Sequence, residues 1–273
     1  MNDVQKAVIG CVAILVALTT PAGAEGLPDI LGIQIGMPVR DAYAKLQAEV
    51  PKDKIEVQST KFPTIDKPVI ASFAASPKET IAIGMEADNV VVDATLPPNK
   101  QAVWRVNRTH FFPGKGIPRA TLLASLREKY GKETRALDIR GKTTADDSQV
   151  QALLWLMDEQ GRPAKPPPLS SSGVDPITSC PRRADPQNIV ESPLPTYGNK
   201  DIEWCLSNYT AVNVEMSQNS AMPELYNQMS VMAVSLPFAA RAGQATMKWK
   251  QGIAEGAHKE DLEKAGQQEK PKL

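Results

Sequence analysis

Apolar positions follow a helical period in three parts of the chain. They recur every three or four residues, the spacing that places side chains on one face of a helix. The positions are Val39, Tyr43, Leu46 and Val50; Leu122, Leu123, Leu126 and Tyr130; and Phe238, Ala242, Ala245, Trp249 and Ile253. Three helices are therefore predicted, the last near the carboxyl end, and the charged residues after His258 are expected to fray.

After each of the first two helices, the pattern changes to short runs rich in Val, Ile, Thr and aromatic residues, which is typical of strands. In the first half, the predicted strands are 55–62, 69–74, 80–85, 90–96 and 102–112. In the second half, they are 134–139, 151–157, 201–206, 211–216 and 229–236. One helix followed by several strands, twice over, predicts an α+β fold with antiparallel sheets.

The two helix starts also resemble each other in sequence. Residues 36–46 align with residues 116–126 at an offset of eighty, with Gly, Pro, Ala and Leu shared at the first, third, ninth and eleventh places. Proline suits a helix start because the amide it lacks has no partner there. We therefore expect two similar units, 25–113 and 114–236, followed by a helix and tail at 237–273. A proline-rich, irregular insertion is expected at 161–198 of the second unit.

The amino terminus has the composition of a secretory signal peptide. Lys6 precedes a fourteen-residue apolar run from Ala7 to Thr20, and small residues end at Ala24. The run is about 21 Å long as a helix, too short for the ~30 Å hydrocarbon core of a bilayer. This pattern predicts cleavage near Ala24 and a periplasmic or secreted protein. An uncleaved anchor or a core helix is the alternative.

Cysteine usage agrees with export. Cys11 lies in the signal segment, so the mature chain keeps only Cys180 and Cys205. Two cysteines in an exported protein most often form a disulfide, whereas a redox pair usually has two intervening residues and a metal site needs more ligands. We expect a Cys180–Cys205 bond that joins the insertion to the strand predicted at 201–206.

Charge and hydropathy limit the kinds of partner. The chain has 31 basic and 31 acidic residues, and removing residues 1–24 takes away one of each, Asp3 and Lys6. A net charge of zero argues against nucleic acid as the main partner, because phosphate binding needs a basic excess. After the signal segment there is no apolar run long enough to span a membrane.

The repeated unit resembles a small-repeat fold of exported bacterial proteins. The resemblance lies in Ile33-Gln34-Ile35-Gly36-Met37-Pro38 with Leu46, and in Leu122 to Leu126 with Lys129-Tyr130-Gly131. The group includes the small outer-membrane assembly lipoprotein and the secreted β-lactamase inhibitor protein. The resemblance implies a protein-binding module, although the lipid-acceptor cysteine of the lipoprotein is missing here.

A search for catalytic chemistry finds no motif. His110 and His258 are the only histidines, and a triad would have to use His110 on a predicted strand. Gly141-Lys142-Thr143 ends like a phosphate-binding loop, but Ala136 stands where its first glycine is needed. Met222, Met229 and Met232 are soft ligands in principle, but their spacing favours packing. We predict no catalytic residue, no cofactor site and no metal site.

The function expected from sequence is a non-enzymatic module that binds another envelope or secreted protein. Large aromatic side chains are the usual anchors of such surfaces, and the candidate contacts are Trp104, Phe111, Phe112 and Trp155. The alternative is a periplasmic hydrolase whose carboxylates converge only in the fold, since paired carboxylates need no fixed spacing in sequence.

Overall fold

The structure of the protein is a computed structural model that describes residues 27–50, 54–78, 87–167, 180 and 200–266. The predicted signal segment and the strand predicted at 80–85 lie outside these residues. So does most of the proline-rich insertion, of which only 161–167 and Cys180 are described.

Four helices and eleven strands form the described part of the chain. The helices are α1 (Val39–Glu49), α2 (Arg119–Tyr130), α3 (Lys200–Asn208) and α4 (Leu236–Gly266). The first strands are β1 (Asp29–Ile30), β2 (Ile33–Gln34), β3 (Ile55–Phe62), β4 (Ile65–Lys78), β5 (Ala87–Ala94), β6 (Val103–Phe111) and β7 (Ile117–Pro118). The remaining strands are β8 (Arg135–Leu137), β9 (Ala152–Met157), β10 (Thr210–Asn219) and β11 (Met222–Ser235).

One large antiparallel sheet organises the molecule, so the predicted α+β class is confirmed. Its strand order is β3-β4-β5-β6-β11-β10-β9-β8, and β7 adds a short pairing to β11. β1 and β2 form a separate two-stranded ribbon. The centre of the sheet is the pairing of β6 with β11, in which Asn107 lies opposite Met232.

Helices α1 and α2 begin in the same way. Each is preceded by a proline in extended conformation, Pro38 with ψ 135° and Pro118 with ψ 134°. The fixed ring of proline sets φ for the entry to the helix. Both helices bury their apolar stripes in the main core cluster, against sheet residues such as Val92 and Val212. We call the side of the sheet that they cover the helical face.

The opposite side of the sheet is covered over part of its area by α3 and α4. A second cluster joins the disulfide, Tyr209 and the start of α4 to Trp104 and Leu156. A third, smaller cluster brings Trp249 of α4 against Phe62 of β3, with ring centroids 5.3 Å apart. On this side of the sheet, the end near Phe111 of β6 lies outside the hydrophobic clusters of the described residues.

The disulfide is confirmed, but the element that carries Cys205 is not the strand expected. Cys180 and Cys205 are bonded and buried, and Cys205 lies in α3. The strand prediction for 201–206 is wrong because Ile202, Cys205, Leu206 and Tyr209 follow the helical spacing i, i+3, i+4, i+7. The bond therefore joins the insertion to a helix that packs on the sheet.

The last helix is longer than the sequence indicated. Fraying was expected after His258, yet α4 continues to Gly266. Oppositely charged residues four apart, such as Glu255 with Lys259, favour an exposed helix. None of the helices in the described part of the chain has the length and apolar character that crossing a bilayer requires.

Candidate interaction surface

On the side opposite the helical face, the helices of the described residues leave part of the sheet uncovered, and most side chains there are polar. Three rows of directly opposed residues run across β5, β6, β11 and β10, on the side opposite the helical face. The rows are Ala87, Phe111, Gln228, Ser217; Asn89, Thr109, Ser230, Glu215; and Val91, Asn107, Met232, Asn213. We call these three rows the open face. Its third row meets the second hydrophobic cluster, because Met232 packs against that cluster and Asn213 is buried.

The open face offers hydrogen-bonding groups on a fixed backbone. Ser230 Oγ donates to Asn107 Oδ1 over 3.2 Å, and Asn213 Nδ2 donates to Glu215 Oε1 over 3.3 Å. Asn89, Glu215 and Phe111 are exposed. Because the strands are paired on both sides, binding a partner here would cost little backbone entropy.

An ion pair marks the boundary of the open face towards α4. Arg105 Nε lies 2.6 Å from Asp93 Oδ2, and the two residues face each other on β6 and β5. The Arg105 guanidinium lies 5.4 Å from the centre of the Trp104 ring, a cation–π distance. The second hydrophobic cluster begins at this boundary: Met232 of the third row packs against it, and Val234, opposite Arg105, belongs to it.

The four aromatic contact candidates fall in different environments. Trp104 and Trp155 are core residues, 0% and 3% exposed. Each side chain packs in a hydrophobic cluster, Trp104 in the second cluster and Trp155 in the main one. Their side chains are therefore not available to a partner, which corrects the sequence-based assignment of both. Phe111 is 40% exposed on the open face, whereas Phe112 packs edge-on against His110 at a centroid distance of 4.9 Å. A contact with a partner stays a prediction for the two phenylalanines.

His110 lies on the helical face, beside a carboxylate that already has a partner. Its Nδ1 is 3.7 Å from Asp88 Oδ2, but Arg108 binds the same carboxylate with Nε and Nη2 at 2.9 and 2.6 Å. The residues directly opposite His110 are Asp88 and Met229. Neither adjacent strand therefore places a hydroxyl or thiol nucleophile opposite this histidine.

A cavity of about 300 Å³ lies between the end of β9 and α3. Its lining includes Trp204, Lys165 and two consecutive carboxylates, Asp158 and Glu159. Asp158 Oδ2 is 2.7 Å from Arg162 Nε, and Glu159 Oε1 is 2.6 Å from Arg241 Nη2. Both carboxylates are thus engaged in ion pairs, unlike the acid and base of a glycosidase, which must exchange protons with the substrate.

Comparison with known proteins gives no relative. No family model, no curated protein and no solved structure matches the chain. The resemblance to small-repeat exported proteins therefore stays an expectation.

Sequence reasoning missed most of the open face because its residues are small and polar. Large aromatic side chains are the usual signal for a contact surface, and Asn89, Asn107, Thr109 and Ser230 carry no such signal. A usable signal was present in β5, where Val90 and Val92 alternate with Asn89 and Val91. That alternation assigns the valines at 90 and 92 to the core, but it cannot show that a helix covers only part of the other side.

Proposed function

We propose that the chain is an exported, non-enzymatic protein-binding module whose open face contacts another envelope or secreted protein. We further propose that it consists of two similar units, each a helix followed by four strands of the sheet, with α3 between β9 and β10 of the second unit. Export rests on the apolar run before Ala24 and on a disulfide, which persists in oxidising compartments.

The strand order supports the two-unit proposal. Read from each edge of the sheet to its centre, β3-β4-β5-β6 follows α1, and β8-β9-β10-β11 follows α2. The helices start eighty residues apart, and each is preceded by a glycine with positive φ, Gly36 at 84° and Gly116 at 106°. In a single unit, the last strand (β6 or β11) would be an edge with unpaired backbone groups. The pairing of β6 with β11 satisfies those groups in both units.

The observation that carries the functional proposal is the open face. A paired sheet surface of amides and hydroxyls with an exposed phenylalanine can form many hydrogen bonds, and it has one apolar anchor. Its three rows span roughly 13 Å along the strands and roughly 14 Å across them. Protein interfaces bury about 800 Å² on each partner, so neighbouring turns would have to take part as well.

The chemistry of the described residues supports a binding protein more than a hydrolase. The carboxylates that line the cavity are paired with arginines, and the carboxylate beside His110 is held by Arg108. A hydrolase of the predicted kind would need an acid and a base free to transfer protons.

Photo-crosslinking from the open face tests the proposal. Benzoyl-phenylalanine in place of Thr109 should give a discrete protein adduct in a preparation of the cell envelope. The matched control is the same group in place of Glu128, an exposed residue of α2 on the other side of the sheet. Equal labelling from both positions, together with turnover of a substrate by the purified protein, would contradict the proposal.

A further inference from the structure

The turn of residues 138–142 presents an isoleucine to solvent. Ile139 is 83% exposed, about twice the value of Val57 at 43% or Phe111 at 40%, the other large hydrophobic side chains classed as exposed in the described chain. Single surface hydrophobics are common in soluble proteins. The fixed backbone and the charges around Ile139 distinguish it from an ordinary exposed side chain.

The backbone of this turn is held by four hydrogen bonds. Asp138 N donates to Lys142 O over 2.8 Å, and Gly141 N donates to Asp138 O over 2.9 Å. Asp138 Oδ1 accepts from the amides of Arg140 and Lys142, over 2.8 and 2.9 Å. Ile139 therefore stands on a fixed support, and placing it in a pocket would cost little backbone entropy.

A second turn, residues 158–162, has the same construction and a different surface. Asp158 makes the same four bonds, with Gly161 and Arg162 in the places of Gly141 and Lys142. Both glycines have positive φ, 73° and 82°. The residue that corresponds to Ile139 is Glu159. The turn geometry therefore does not require an isoleucine.

The charges of the two turns also differ. Arg162 folds back onto Asp158, and Glu159 pairs with Arg241. Arg140 and Lys142 are exposed, and neither forms an ion pair with another described residue. The first turn thus presents an apolar side chain beside two cations that have no ion-pair partner among the described residues.

We propose that residues 138–142 form an anchor turn, in which Ile139 enters an apolar pocket of a partner protein while Arg140 and Lys142 face carboxylates on its rim. This inference rests on the proposed function and extends its surface. Leu137, just before the turn, pairs with Ala152, which in turn pairs with Glu215 of the open face. A partner on the open face therefore has the anchor turn at its margin.

A protein pocket suits this chemistry better than a membrane. One isoleucine and two cations attract a bilayer less than a myristoyl chain does, and a single such chain gives only marginal binding. A closed pocket instead surrounds the side chain, and electrostatic complementarity at its rim speeds association and selects the partner.

The test compares the anchor turn with residues 158–162. Benzoyl-phenylalanine in place of Ile139 should crosslink one envelope protein, and the same group in place of Glu159 should not. That protein, identified and purified, is then titrated with each variant. Ile139→Glu should weaken binding by about thirty-fold or more. The double change Arg140→Gln with Lys142→Gln should slow association and reduce its salt dependence. Glu159→Gln should leave the affinity unchanged.

Several results would overturn the inference. They are equal labelling from positions 139 and 159, unchanged affinity of Ile139→Glu, and Ile139-dependent binding to phosphatidylglycerol vesicles in place of a protein. An adduct from position 109 without one from position 139 would contradict the anchor-turn proposal but not the proposed function. The absence of a protein adduct from both positions would contradict both proposals.

Discussion

Gly116 lies at a position where a side chain would collide with the backbone of a neighbouring strand. Its φ is +106°, and an added Cβ would lie 2.2 Å from the carbonyl oxygen of Tyr226 and 2.9 Å from its carbonyl carbon. Both are backbone atoms, so the clash cannot be relieved by a side-chain rotation. The close approach lies beside the pairing of β7 with β11.

We expect Gly116→Ala to lower the free energy of unfolding by at least about 3 kcal/mol, since left-handed strain and a backbone clash combine. Gly114→Ala is the matched control, because φ there is +64° and nothing lies within 4 Å of the added atom. It should cost about 1 kcal/mol. Urea unfolding of both variants gives the comparison, and equal losses would show that the Tyr226 contact is absent.

Arg127 holds two carboxylates at the end of α2. Its Nη2 is 2.7 Å from Glu133 Oε1 and 2.8 Å from Asp147 Oδ1. The hydrogen bonds from Arg127 keep the pKa of the Glu133 carboxyl below its usual 4.5 and the pKa of the Asp147 carboxyl below its usual 3.8. A carboxyl whose pKa is lower in the folded state than in the unfolded state stabilises the folded state at pH values above its ordinary pKa. This stabilisation is lost as the pH falls through the lowered, folded-state pKa.

The stability difference between the wild type and Arg127→Met should therefore be largest near neutral pH and should shrink as the pH falls through the lowered pKa values of the two carboxyls. Arg40→Met is the control, since Arg40 is an exposed residue of α1 with no ion pair to another described residue. Unfolding midpoints measured from pH 7 to pH 2 give the profile. A difference that does not change with pH would mean that Arg127 acts only through packing.

Among the elements, those that follow a single clear period were predictable from sequence. The starts of α1 and α2 follow from helical spacing and from the proline entries. The strand at 55–62 follows from its residue types, since Val57 and Phe62 do not belong to one alternating face. The strand prediction at 201–206 is wrong because those six residues taken alone fit a strand as well as a helix. The helical spacing becomes clear only when Tyr209 is included, and Cys205 and Tyr209 both lie in the second cluster.

The open face and the anchor turn could be predicted only in part. The alternation in β5 and β6 shows which side chains share a side of the sheet. It does not show how far α4 extends over that side. Ile139 follows three strand-like residues, Arg135–Leu137, and was assigned to the strand 134–139. Its exposure depends on the turn closed by Asp138, a side-chain interaction that hydrophobic periodicity does not report.

The disulfide ties α3 to Cys180 of the insertion, and its removal should be measurable. It closes a loop with a sequence separation of 25, for which chain entropy predicts about 3 kcal/mol of stabilisation. The double variant Cys180→Ser with Cys205→Ser should unfold at correspondingly lower urea concentration. An unchanged midpoint would indicate that packing around Tyr209 holds α3 by itself.

At the scale of the whole molecule, export can be checked by mass and by thiol count. The mature protein should begin at Glu25, and it should have no free thiol under denaturing conditions, because Cys11 has left and the other two cysteines are bonded. Intact-mass analysis of protein from the cell envelope gives the first result. One free thiol per chain would show that the signal segment is retained, and two or more would show that the disulfide is absent.

The central claim is that the open face is where a partner protein binds. Its most direct test is the affinity of the partner identified by crosslinking for Thr109→Arg, measured by calorimetry. Thr109 lies in the middle row between Asn89 and Ser230, so a long charged side chain there should weaken binding by about 100-fold or more. Glu255→Arg on the exposed part of α4 should bind like the wild type. Equal affinity of Thr109→Arg and the wild type would contradict the account.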